Sequence, residues 1–104
     1  MSFEGAALNA TLAAAAGDDL LLQSELRSAL IHSANKQLDL LKRSRCDGNW
    51  NVAAMRLKSL AASFHADNLI EAADIALSSA PGDPIAIQRV DEEISHFLAD
   101  ETRD

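Results

Sequence analysis

Trp50-Asn51-Val52-Ala53-Ala54-Met55-Arg56-Leu57-Lys58-Ser59-Leu60 decides how this chain folds and what it offers to a partner. Trp50, Ala53, Leu57 and Leu60, with Phe64 just beyond, recur at spacings of three and four. That period predicts an amphipathic helix with one apolar seam. At about 100° per residue, Met55 falls roughly 160° around this helix from Leu57 and is expected to face outward. Lys58, Ser59 and Ala62 follow on the same outward face. A methionine at helical spacing ordinarily fills a gap in a core, but the phase of this seam places Met55 on its far side. Beside the small Ser59 and Ala62 it forms a shallow apolar spot that suits a partner better than solvent.

Four further helices flank this one. A short first helix, roughly 3 to 15, places Leu8 and Leu12 four residues apart and ends at Gly17; Asp18 is a plausible cap for the next. The second helix runs to about 45, with Leu22, Leu26, Leu30, Ala34, Leu38 and Leu41 on one stripe, and Lys42, Arg43 and Arg45 in a last turn where cations suit the helix dipole. Asp47-Gly48-Asn49 reads as a stop and restart, with Asn49 capping the third helix. A fourth starts at Asp67 and turns Leu69, Ile70, Ala73, Ala76 and Leu77 inward until Pro81-Gly82. Asp83-Pro84 then caps a fifth that buries Ile87, Val90, Ile94, Phe97 and Leu98. Four long amphipathic helices with short connections pack most simply as an antiparallel up-down-up-down four-helix bundle, with the short N-terminal helix capping one end.

Composition narrows the function classes. A chain of 104 residues makes one domain, spanning 1–104. Aromatics are 4% and tyrosine is absent, which favours helices over sheets built from aromatic and β-branched residues. A net charge of -7 argues against a nucleic-acid partner, because such affinity rests on clustered cations neutralising phosphates. The single cysteine, Cys46, excludes an intramolecular disulfide and a cysteine-based zinc cluster. No apolar run reaches the roughly 18 residues of a membrane span, and no basic segment precedes Ala13–Ala16 as a secretory leader requires. A soluble, cytoplasmic protein without cofactor or metal is the expectation.

The run Met55-Arg56-Leu57-Lys58-Ser59 resembles the phosphorylation helix of the histidine-containing phosphotransfer (HPt) domain family, whose members carry His-x-x-Lys-Gly on an amphipathic helix. The likeness extends from about Asp18 to Leu98. It implies a four-helix bundle of two-component phosphorelay signalling that meets the receiver domain of a response regulator or hybrid histidine kinase. Carried over position by position, Met55 occupies the phosphoacceptor place, Lys58 that of the lysine that neutralises the phosphoryl group, and Ser59 that of the small residue that lets a partner approach. His65 stands where the family usually has a glycine at the end of this helix. A thioether neither attacks a phosphoryl group nor carries one, whereas a neutral imidazole does both. The resemblance therefore implies a monomeric pseudo-phosphotransferase, without catalytic residues, that docks receivers through Met55, Arg56, Lys58, Ser59 and Ala62.

The remaining imidazoles leave an alternative open. His32 and His96 lie about 160° from the core positions Leu30 and Ile94 and read as surface residues. His65 lies near the end of the key helix, about 15 Å of axial rise from Met55, and is the best candidate for a displaced phosphoacceptor. The apolar spot also suits self-association. The acidic runs Asp18-Asp19, Asp91-Glu92-Glu93 and Asp100-Glu101 read as caps and solvated faces. Lys42, Arg43, Arg45, Arg56 and Lys58 are expected to gather at one end of the bundle, where they would steer an acidic receiver rim.

Overall fold

Punctuation residues set most of the helix ends. In a computed structural model that describes the backbone over residues 3–102 and side chains over residues 8–96, α1 (Phe3–Ala16) stops where Gly17 takes φ +62°, a conformation that costs glycine nothing. The cap of α2 (Leu20–Arg43) is Asp19 rather than Asp18, its carboxylate accepting from the Leu22 amide at 3.0 Å. Helix α3 (Asp47–Ser63) starts two residues before the expected cap. Cys46 takes the cap position in extended conformation, and Asn49 lies inside the first turn. Gly and Asn cost least there, where amides have no intrahelical acceptor in any case. Helix α4 (Asp67–Leu77) ends four residues before Pro81. Asp83 Oδ1 accepts from the Ile85 and Ala86 amides at 2.9 and 3.2 Å, opening α5 (Pro84–Thr102) on its proline as expected.

Among the described residues every element is helical and there is no strand. Helix α2 packs on α3 and α5, α3 on α4, and α4 on α5, so these four close a ring of contacts. Helix α1 lies against α2 and α5, and the Arg27 guanidinium donates to the side-chain oxygen of Asn9 across that junction. No helix among the described residues is long and apolar enough to cross a membrane.

One apolar cluster holds the ring together. Leu8 and Leu12 of α1, Leu30, Ala34, Leu38 and Leu41 of α2, Trp50, Ala53 and Leu57 of α3, Leu69, Ala73 and Ala76 of α4, and Val90 and Ile94 of α5 are all buried in it. Each large side chain so enclosed contributes about 1.5–3 kcal/mol. Trp50 is fully buried, and its indole N–H donates to the Ala76 carbonyl at 2.7 Å; this satisfies the one polar atom of the ring system and clamps the start of α3 to the end of α4.

Three expectations need correction. Leu22, placed on the core stripe, is 39% exposed beside the exposed Leu20 and Leu21, because α2 begins before its neighbours cover it. Arg45 falls outside α2, its guanidinium turned back to the carbonyls of Lys42 and Ser44 at 3.2 and 3.3 Å. Glu93, read as solvated, is buried, with Arg89 Nε 3.4 Å from its Oε2 and His96 Nδ1 3.9 Å from its Oε1. The expected inward positions Phe97 and Leu98 lie outside the described side chains.

Candidate functional site

The seam of α3 fixes what its opposite face displays. With Trp50, Ala53 and Leu57 turned inward, Met55 projects outward and is 51% exposed. Arg56, Ser59 and Ala62 are exposed around it, and Val52 is a further exposed apolar residue one turn earlier. Met55, Arg56, Ser59, Leu60 and Ser63 line a shallow, widely open hollow of about 380 Å³. The small side chain of Ser59 keeps it open, while Ser63 Oγ is turned aside to donate to the Ser59 carbonyl at 3.0 Å.

Lys58 behaves differently from its neighbours. Its Nζ lies 2.8 Å from Asp74 Oδ1 of α4, with both side chains roughly half exposed. The ammonium group is thus drawn off the Met55 face and toward α4. Local spacing gave no sign of Asp74, which stands sixteen residues further along and meets Lys58 only through the packing of α3 on α4.

The cationic set disperses in the same way. Lys42 reaches Asp91 of α5 at 3.4 Å, and Arg43 pairs with Asp39 one turn back at 3.0 Å. Arg56 makes no hydrogen bond or ion pair among the described residues. Arg43 and Arg56 nevertheless converge on a second hollow, of about 420 Å³, between the end of α2 and the start of α3; Leu40, Ser44, Asn49, Val52 and Ala53 complete its lining. Of the five cations expected at one end, the geometry brings these two together.

The three histidines are exposed and separate. His65 follows the last residue of α3 by two and has φ 58°. Its amide donates to Ala62 O at 3.2 Å and that of Ala66 to Ala61 O at 2.9 Å, the paired bonds that close a helix through a left-handed residue. Glycine takes that conformation freely, whereas a Cβ is strained in it. Among the described residues no three His, Cys, Asp or Glu side chains gather where a metal ion would sit. Cys46 is an exposed free thiol.

Chemically, this face offers an apolar thioether, small serine neighbours and a guanidinium without an ion-pair partner among the described residues, with no imidazole in the lining of its hollow. No family model matches the chain, and neither a curated protein nor a solved structure matches it.

Proposed function

We propose that this chain is an HPt-like module of phosphorelay signalling, which docks the receiver domain of a response regulator or hybrid kinase on α3 without carrying phosphate. The single observation that carries the reading is the outward Met55, half exposed at the phosphoacceptor place with Ser59 open beside it. The left-handed backbone at His65, where the family resemblance puts a glycine, supports the same alignment. In this reading the ring of α2 to α5 is an antiparallel up-down-up-down bundle capped by α1. Trp50 at the start of α3 bonded to Ala76 at the end of α4, and Arg89 of α5 joined to Glu71 of α4 at 3.0 Å, suit that course. The module works as a cytoplasmic monomer.

Docking without transfer has a physical use. A bound module covers the receiver's phosphorylation site, so it competes with active phosphotransfer proteins or holds the receiver in one state. Titration of isotope-labelled protein with a panel of receiver domains tests this: amide shifts are expected at Met55, Arg56, Ser59 and Ala62. Shifts that avoid α3 for every receiver would remove the proposal.

A further inference from the structure

We propose that the hollow between the end of α2 and the start of α3 binds a small amphipathic anion, a carboxylate or phosphate on an apolar body the size of a substituted ring. Its volume of about 420 Å³ lies in the range of ligand sites, which combine an apolar floor with a few convergent polar groups. Leu40, Val52 and Ala53 supply the floor, and Val52 is left 48% exposed there. Arg43, Arg56, Asn49 and Ser44 supply the polar part of its lining.

The charge distribution favours an anion. Five of the nine Lys and Arg residues lie within positions 42–58 of a chain whose net charge is -7. Three of them are neutralised by carboxylates: Lys42 by Asp91, Arg43 by Asp39 and Lys58 by Asp74. Arg56 is not, and its planar fork matches a carboxylate or phosphate with two parallel hydrogen bonds. The Arg43–Asp39 pair is well exposed, and such pairs hold weakly enough to open for a better partner. The site is therefore one guanidinium without a carboxylate partner among the described residues and one releasable guanidinium over an apolar patch. An anionic lipid headgroup shares this chemistry, but a strongly acidic protein is repelled from an anionic surface, so the occupant is a soluble molecule. Arg56 also borders the Met55 hollow; the anion site does not depend on receiver docking, and its test uses no receiver.

Phenyl phosphate is the probe, titrated into the full chain by NMR, with benzyl alcohol as the neutral comparison. Saturable shifts are expected at Asn49, Val52, Ala53 and Arg56, and benzyl alcohol should bind at least tenfold more weakly. Arg56→Gln should lower affinity for the probe about tenfold, with Trp50 fluorescence unchanged as the sign of an intact fold. Asp39→Asn should raise affinity severalfold by freeing Arg43, an effect that a general loosening of the fold would not produce. Sedimentation with vesicles of phosphatidylcholine and phosphatidic acid separates the sources: protein left in the supernatant is expected, and protein in the pellet would overturn the soluble occupant. Equal binding of the neutral alcohol, unchanged affinity in Arg56→Gln, or shifts spread equally over Lys36 and Arg89 would overturn the site itself.

Discussion

On the proposed reading, replacing Met55 with histidine should turn the outward face of α3 into a phosphoacceptor, and the structure sets how efficiently. The new imidazole would stand at a half-exposed outward position and be neutral above its ordinary pKa of about 6.5, as attack on a phosphoryl group requires. The second requirement is a cation for the transferred group. Lys58 is one turn away but bound to Asp74 at 2.8 Å, with side chains 42% and 49% exposed. An ion pair that open contributes about 0.2–1 kcal/mol. Diverting the ammonium from Asp74 to a phosphoryl group therefore costs at most about fivefold in rate. Met55→His alone should acquire acid-labile label from a phosphorylated receiver, and Met55→His with Asp74→Ala should acquire it up to about fivefold faster. The assay is transfer of radiolabel at neutral pH, with the unsubstituted chain as control and a receiver already seen to shift α3 amides. Absence of label on a folded, docked Met55→His protein would refute the reasoning. Label on the unsubstituted chain would move the acceptor to another histidine, with His65 the first to replace.

Further expectations concern the frame that presents this face. Leu57→Ala should cost about 2–5 kcal/mol and Met55→Ala less than about 0.5 kcal/mol in urea unfolding; comparable losses would contradict the rotational phase of α3. His65→Gly relieves a left-handed Cβ, a strain of about 1–2 kcal/mol, against about 0.5–1 kcal/mol for glycine's extra freedom when unfolded. The net is a Tm higher by roughly 2–4 °C, and a lower Tm would count against strain at that turn. Asp83→Ala removes the acceptor of two α5 amides and should cost about 0.5–2 kcal/mol. Faster amide exchange confined to Ile85 and Ala86 is its signature.

Periodicity carried the seam of α3 and the inward faces of α4 and α5, because burial on a helix repeats along one stripe whatever lies opposite. It failed where the neighbour's extent mattered. Leu22 shares the phase of Leu26 and Leu30, yet it stays 39% exposed, since phase gives a direction and not a depth. The start of α3 was misplaced because Gly48 and Asn49 signal a turn, while the first helical turn tolerates both. Glu93 was hidden inside an acidic run whose other members are at or near the surface, although it stands three residues after the buried Val90 and next to the buried Ile94. The outward placement of Met55 and Ser59 was legible because both sit on a single helix. The engagement of Lys58 with Asp74 was not, since it depends on how two helices are set side by side.

That engagement bears on why a thioether suits this position. A phosphoryl group brings two negative charges, and a surface that receives it needs cations free to meet them. Here Lys58 is occupied by Asp74 and Lys42 and Arg43 are paired elsewhere, while Arg56, which borders the Met55 hollow, makes no ion pair among the described residues. The face thus presents apolar contact with a guanidinium at its edge, and a dianion at its centre would first have to open an exposed ion pair, at a cost of at most about fivefold. A residue without charge or lone-pair reactivity costs nothing on such a surface, and its flexible, polarisable side chain adapts to a partner's contour. On the proposed reading, the thioether at Met55 and the pairing of Lys58 with Asp74 belong to one electrostatic arrangement, suited to contact with a partner rather than to holding a phosphoryl group.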